Sequence, residues 1–222
     1  MATDPTSVAQ SWRRIRNWYE ANISDQFREL LENPAPPATI DEIADCEKSL
    51  GMTLPDSVRE SYLLYNGDGD LETFSFAPLI SLEKIVHLWK LNKAAQEDGY
   101  GADTSWIKCN RAIRKKNWDL KWIPIADNMS GNFFCIDLNP TKSGTSGQVF
   151  RYIRERGPVD LVAKSFADLL LTFAERLEAG KYQWNDEYGG VWPVTRNNLS
   201  GGAISFTCRG TPEAGIGVAA LQ

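Results

Sequence analysis

NWDLKWIPIADNMSGNFFCIDL, residues 117–138, is the stretch of sequence that decides the fold. It contains two short apolar runs, 122–126 and 133–138, separated by the polar segment 127–132. Asn, Asp, Ser and Gly in that segment favour tight turns, because they bond nearby backbone amides or tolerate unusual backbone angles. Two short apolar runs joined in this way predict consecutive antiparallel strands.

Helical patterns lie on both sides of this hairpin. Apolar residues recur there every three to four positions, which is the spacing of one helix face. Thr39 and Glu42 form a capping box at one predicted helix start, and Asn66-Gly67 marks a helix end. The predicted helices cover 7–32 (with a break near 22–25), 39–50, 55–65, 82–95 and 165–179.

The predicted strands are short and linked by turns rather than by helices. Such an order favours an α+β fold with a central, largely antiparallel sheet flanked by helices. We expect Phe134 and Ile136 to lie in the core, since runs this apolar are often buried on both faces. The strands are predicted at 74–79, 122–126, 133–138 and 148–153.

The composition of the chain changes after residue 180. Residues 181–222 contain seven glycines and few charges, with aromatic residues at Tyr182, Trp184, Tyr188 and Trp192. A chain of 222 residues suits one large domain with an appendage. We therefore predict a domain over 1–180 and a Gly/aromatic-rich extension over 181–222 that folds back on it.

Two motifs resemble the signatures of the SUKH superfamily. One is IPIADNMSGN at 123–132, continued by GTSGQV at 144–149, and the other is LGMTLPDSVRESYLLYNG at 50–67. The resemblance covers roughly residues 8–178 and implies a SUKH-like α+β fold. The superfamily includes bacterial immunity proteins that neutralise polymorphic toxins and fungal cell-wall-assembly regulators. The resemblance thus implies function through binding.

Motifs for catalysis or metal binding are incomplete in this sequence. His87 is the only histidine, and no Ser or Cys nucleophile motif accompanies it. A calcium-loop pattern that starts at Asp68 has Leu79 where the twelfth-position glutamate belongs. The Gly-rich segment 143–147 lacks the Lys-Ser/Thr end of a phosphate loop. We therefore expect no enzyme activity, no catalytic residues, no metal and no cofactor.

The distribution of charge along the chain indicates which partners it suits. Residues 1–105 carry 18 acidic and 9 basic side chains, whereas residues 106–222 carry 11 and 15. An acidic half suits a basic protein partner, but acidic helix faces that keep the chain soluble explain the same asymmetry. The basic, Trp-containing stretch 108–121 is weak support for nucleic-acid binding in a chain of net charge −5.

The sequence also argues against a membrane partner and for a cytoplasmic protein. No apolar run has the length of a membrane span, and residues 1–10 do not form a secretory signal. The four cysteines are scattered without a CxxC pair, as expected of reduced thiols: Cys46, Cys109, Cys135 and Cys208.

These observations lead to a main hypothesis and an alternative. The main hypothesis is a binding-only immunity protein that neutralises a cognate toxin by stoichiometric association. The alternative is a regulatory scaffold related to the fungal cell-wall-assembly regulators. Loops carry recognition on rigid scaffolds, and Tyr and Trp are frequent interface anchors. The predicted partner-binding residues are Asp68, Asp70, Glu72, Asp98, Tyr100, Asp103 and Trp106. The sequence leaves the oligomeric state open.

Overall fold

A computed structural model describes residues 7–69, 71, 73–74 and 77–194. Within these residues, helices surround a four-stranded antiparallel sheet, and a two-stranded sheet follows, so the predicted α+β class is confirmed. The helices are α1 (Val8–Asn22), a 3₁₀ helix (Asp25–Leu31), α2 (Ile40–Leu50), α3 (Asp56–Tyr62), α4 (Leu82–Glu97) and α5 (Phe166–Glu178). The strands are β1 (Trp122–Asp127), β2 (Phe133–Asp137), β3 (Gln148–Ile153), β4 (Gly157–Ala163), β5 (Tyr182–Asn185) and β6 (Gly190–Pro193).

Local sequence accounts for where several helices begin and end. The Thr39–Glu42 capping box is present at the start of α2, and Gly51 ends that helix with a left-handed φ of 65°. The predicted break near 22–25 is confirmed, because α1 ends at Asn22 and the 3₁₀ helix begins at Asp25. None of the described helices is long and apolar enough to cross a membrane.

The main sheet has the order β1-β2-β3-β4, with each strand antiparallel to its neighbour. Every residue of β2 is buried, as expected for a central strand covered on both faces. Both edges are partly covered by chain segments. The amide of Ile80 donates to the Ile125 carbonyl of β1 at 3.0 Å, and the amide of Asn110 donates to the Val159 carbonyl of β4 at 2.8 Å.

One strand differs from the sequence prediction. Among its described residues, the segment 74–79 contributes a single bridge between Leu79 and Ala126 rather than a strand. The fourth strand is instead β4, which the sequence reading did not assign. Pro158 follows its first residue, and proline lacks the amide that a sheet ladder uses. Such a proline is tolerated at an edge strand, which is the position of β4.

The β5–β6 hairpin packs against the first helices of the chain. Tyr182 and Val191 belong to the hydrophobic core, and the ring of Trp184 lies edge-to-face with Phe27 at 5.4 Å. The described part of the predicted extension thus contacts the rest of the fold. Residues 195–222 lie outside the described residues, and the division at residue 180 stays a prediction.

Candidate functional site

The most recognisable motif of the sequence forms a buried polar network centred on Asp137. One carboxylate oxygen, Oδ1, accepts hydrogen bonds from the indole of Trp122 at 3.1 Å and from the amide of Asn139 at 2.9 Å. The other, Oδ2, accepts from the Gln148 side-chain amide at 2.9 Å. Burial raises the pKa of Asp137, and these three donors oppose the rise without cancelling it.

Gln148 extends this network to the loop before β1. Its amide nitrogen also donates to the Ala112 carbonyl at 3.1 Å, and its oxygen accepts from the Thr145 amide at 3.1 Å. A Cβ on Gly144 would lie 2.6 Å from that same carbonyl and 2.7 Å from the Gln148 side-chain oxygen. Packing at this turn therefore favours a glycine at position 144.

Asp119 forms a second branch beside Asp137. Its carboxylate accepts from the Lys116 ammonium at 2.8 Å, the Lys121 amide at 3.0 Å and the Asn139 side chain at 3.0 Å. Burial by itself would raise the pKa of Asp119, but these donors outweigh it and hold the pKa below its ordinary value. The carboxylates of Asp119 and Asp137 are thus bonded to groups of the fold itself.

Of the predicted acidic loop, only Asp68 is among the described residues, since Asp70 and Glu72 are not. Asp68 is 8% exposed, and one of its oxygens accepts from the amides of Thr73 and Leu79 at 2.8 and 2.7 Å. Its carboxylate holds the loop after α3, which leaves little of it accessible to a partner.

The other predicted residues lie together in the loop 98–106 after α4. The loop begins with a Schellman turn, in which the Gly99 amide donates to the Gln96 carbonyl and the Tyr100 amide to the Ala95 carbonyl, at 3.0 and 2.9 Å. Gly99 adopts the left-handed φ of 82° that this turn requires. Because these hydrogen bonds order the backbone of the turn, the Cα of Tyr100 has a defined position, from which its side chain extends into solvent.

Trp106 is fixed at the other end of the same loop. Its indole nitrogen donates to the Asp103 carbonyl at 2.8 Å, and the Asp103 carboxylate accepts from the Ser105 amide at 2.8 Å. Hydrogen bonds from the backbone and the side chain of Ser105 hold the pKa of Asp103 below its ordinary value, so the carboxylate is ionised at neutral pH. Asp98 is exposed at the C-terminal cap of α4.

Two grooves share the backbone around Tyr100. The larger, about 430 Å³, lies between Tyr100, Trp106 and the β3–β4 turn residues Arg154 and Glu155. The smaller, about 230 Å³, reaches towards Lys116 and Trp118 and again includes Tyr100. Tyr100 is 64% exposed and Trp106 is 43% exposed. The structure therefore brings together Tyr100, Asp103 and Trp106, with Asp98 one residue before the groove lining.

The sequence reading missed Arg154 and Glu155 as members of this surface. Their place in the grooves depends on the β3–β4 turn, and that turn is recognised only once β4 is assigned. Asn117 was also missed. Its side chain lies so close to Gly101 that a Cβ there would be 2.2 Å from it, a contact that links residues 16 positions apart.

Two features of the described residues bear on metal and thiol chemistry. None of their His, Cys, Asp and Glu side chains form a group of three that could hold a metal ion. Burial raises the pKa of the Cys46 thiol to about 11 and that of the Cys135 thiol well above its usual range. A thiol kept protonated in this way is a poor nucleophile.

Comparison with known protein families matches residues 37–172 to the family described as SMI1 / KNR4 (SUKH-1). The match covers more than half of the chain and includes both signature motifs. The chain belongs to the SMI1 / KNR4 family. The predicted SUKH resemblance is therefore confirmed.

The chain is also similar to several curated proteins from fungi. The chain is 30% identical over 82% of its length to the cell wall biosynthesis/cell cycle regulator smi1 of Schizosaccharomyces pombe, and spans 38% of that protein. It is 27% identical over 79% of its length to the glucan synthesis regulatory protein of Neurospora crassa, spanning 39% of it. For the cell wall assembly regulator SMI1 of Saccharomyces cerevisiae, identity is 25% over 87% of the chain and 46% of the relative. The chain thus spans less than half of each of these relatives.

These relatives correct the main functional hypothesis. The prediction of an immunity protein that neutralises a cognate toxin is wrong, because the similar proteins are named as regulators of cell-wall and glucan synthesis. The alternative, a regulatory scaffold, agrees with them. The signature motifs alone could not separate the two possibilities, because both functions occur among proteins that share them. Gln148 of one motif also bonds to Asp137 inside the fold rather than at a binding surface.

Proposed function

We propose that this chain is a non-catalytic, protein-binding domain of a regulator of fungal cell-wall assembly. The support for the regulatory role is its similarity to three fungal proteins named for wall or glucan synthesis. The partner in this role is another protein rather than a nucleic acid or a membrane. We further propose that it acts in the cytoplasm, where Cys46, Cys109 and Cys135 would remain the free thiols that they are in the structure.

We place the partner-binding surface on the loop 98–106 and the two grooves beside it. One observation carries this proposal: Tyr100 and Trp106 are large, exposed aromatic residues on one loop, and the loop is ordered at both ends. The indole of Trp106 is held by its hydrogen bond to the Asp103 carbonyl, whereas Tyr100 is held through its backbone amide. Aromatic anchors that are already fixed lose little conformational freedom on binding, and such residues dominate interface energies. Asp98 and Asp103 would then speed association with a basic partner rather than add much affinity.

The regulatory role can be tested by exchange of domains. In the smi1 protein of Schizosaccharomyces pombe, the aligned region is replaced by this chain, and the wall glucan content of the resulting strain is measured. We expect the chimera to restore glucan content towards that of the wild-type strain. A chimera that accumulates normally and yet behaves like a deletion of smi1 would contradict the proposed role.

The proposed surface can be tested in the same chimera with matched aromatic residues. Tyr100→Ala with Trp106→Ala should abolish the restored phenotype and leave the melting temperature of the purified chain nearly unchanged. Tyr188→Ala with Trp192→Ala is the control, because these residues are similarly exposed, at 63% and 41%, but lie on the β5–β6 hairpin. Equal effects of the two double variants would exclude a specific role for the 98–106 loop.

A further inference from the structure

Another groove lies between α2 and α4, away from the proposed partner surface. It has a volume of about 320 Å³. Its floor is apolar, formed by Cys46 and Leu82, which are 4% and 3% exposed, and by the partly buried Val86. Ser49, Asn66 and Ser81 also belong to the lining. The Cys46 thiol is directed at the Leu82 carbonyl, at 3.9 Å, so the floor presents no free polar group from this residue. An apolar floor of this kind fits an aliphatic side chain.

The rim of the α2–α4 groove is acidic. Glu42 and Asp45 line it from α2 and Glu83 lines it from α4, and no basic residue is part of the lining. Lys48 and Lys84, the nearest basic residues along the chain, lie outside it. Three full negative charges exceed the partial positive charge of two helix N-termini, which is about half a unit each. The groove therefore favours a cationic occupant.

Two of these carboxylates are available to such an occupant. The Glu42 carboxylate already takes part in the capping box, where it accepts a hydrogen bond from the Thr39 amide at 2.7 Å. Asp45 and Glu83, by contrast, have no ion pair or side-chain hydrogen bond within the part of the chain that the structure describes. A free metal ion is not the expected ligand, since the described acidic side chains do not converge in a group that could hold one.

We infer that the α2–α4 groove binds a basic, amphipathic segment of a partner protein. An aliphatic side chain of that segment rests on Cys46, Leu82 and Val86, while flanking lysine or arginine side chains pair with Asp45 and Glu83. This mode joins an apolar contact, which supplies affinity, to charge complementarity, which supplies orientation and speed. The inference concerns a different face from Tyr100 and Trp106 and does not rest on the role in wall assembly.

The test uses the full chain and two synthetic peptides of about 12 residues, or three helical turns. Both place leucines at helical i, i+3 and i+4 spacing, and the remaining positions are lysine in one peptide and glutamate in the other. Dissociation constants are measured by calorimetry at low ionic strength, and the bound site is mapped by amide chemical shifts. We expect the lysine peptide to bind about tenfold tighter or more than the glutamate peptide, with shifts at 42–49 and 82–86.

Matched charge variants separate the groove from general attraction to an acidic protein. Asp45→Asn with Glu83→Gln should weaken the lysine peptide about fivefold or more, whereas Asp41→Asn with Glu97→Gln should change its affinity less than about twofold. Asp41 and Glu97 lie on the same two helices, outside the groove lining, and the change in net charge is the same. Equal weakening by both pairs, shifts elsewhere on the protein, equal binding of the two peptides or no binding of either would each overturn the inference.

Discussion

Asp119 and Asp137 are neighbouring buried carboxylates whose pKa values are shifted in opposite directions. Asp137 has a raised pKa, so its contribution to stability is present below the unfolded pKa, about 3.9, and is lost as the pH rises through the folded value. Asp119 has a lowered pKa, so its contribution is present above about 3.9 and is lost as the pH falls through the folded value. Acid therefore weakens the fold through Asp119 and not through Asp137.

Substitution of Asp119 tests this assignment. Asp119→Asn should lower the free energy of unfolding by about 1–3 kcal/mol at neutral pH, because the charge-assisted bond from Lys116 is lost. The new side-chain NH₂ group would also face the hydrogen-bond donors that now point at the carboxylate. The difference from wild type should shrink below about pH 3.9, where the unfolded carboxyl is protonated. Denaturant unfolding at pH 7 and pH 3 measures both values. Asp25→Asn is the control, since that side chain is 97% exposed, and an equal pH dependence in the two variants would contradict the assignment.

Gly144 provides a second test at the scale of single residues. Gly144→Ala should destabilise the protein by about 1–3 kcal/mol, since the new Cβ would be 2.6 Å from the Ala112 carbonyl and 2.8 Å from Pro140. Gly190→Ala is a matched change, because a Cβ there meets nothing within 4 Å. It should leave the melting temperature nearly unchanged. Similar melting temperatures for the two variants would show that the turn can move to accept a side chain.

Among the elements, β2 is central to the sheet and its side chains are predicted to act through stability. Phe134→Ala should lower the free energy of unfolding by about 3–5 kcal/mol, because the ring is fully buried and lies edge-to-face with Phe74 at 6.0 Å. Chemical denaturation measures the change. Leu91→Ala, at a residue that is 53% exposed, should change stability by less than about 0.5 kcal/mol. A loss below about 1 kcal/mol at Phe134 would argue against its place in the core.

Elements with a strong local signal were predictable, and elements fixed by tertiary contacts were not. The hairpin of β1 and β2 and the capping box of α2 follow from residues close together in sequence. The strand β4 was missed because Pro158 has no backbone N–H to donate and is tolerated in a strand only where its nitrogen faces away from the ladder, as at a sheet edge. The segment 74–79 has a strand-like composition, but its described part contributes only the Leu79 bridge.

The candidate sites show the same division. Tyr100 and Trp106 were predictable as exposed anchors, because they stand in a charged, irregular stretch between a helix and a strand. The sequence did not predict that Tyr100 and Arg154 line one groove, or that Asp45 and Glu83 line another. The residues of each pair come from separate elements, which only the packing of the fold brings together. Asp68 was predicted as a surface acid, yet its carboxylate binds backbone amides within the fold.

For the whole molecule, the hairpin residues that decide the fold serve the interior of the protein. Trp122, Asp137 and Gln148 hold one another by hydrogen bonds of about 3 Å in the interior, at 3.1 Å for the first pair and 2.9 Å for the second. Interior hydrogen bonds of this kind support the fold and do not specify what the protein binds. The function must therefore be sought on the loops and grooves outside the Asp137 network, where Tyr100 and Asp45 lie.

The fold also depends on residues outside the matched segment 37–172. The helix α1 buries Trp12 and Tyr19, whose side chains donate to Ser61 Oγ and to the Thr73 carbonyl, both at 2.8 Å. The segment also ends within α5, before its buried residues Phe173, Ala174 and Leu177. The similarity of the chain to the smi1 protein of Schizosaccharomyces pombe covers 82% of the chain, so it extends beyond residues 37–172.

We therefore expect residues 37–172 not to fold cooperatively when expressed alone, whereas residues 7–194 should. Removal of α1 and the end of α5 exposes apolar surface that the short segment cannot bury, and burial of such surface is the main driving force for folding. Calorimetry and near-ultraviolet circular dichroism compare the two fragments. The shorter one should lack a sharp unfolding transition and bind a hydrophobic dye. A cooperative transition of the shorter fragment near the melting temperature of the longer one would mean that α1 and the end of α5 pack onto a core that is already complete.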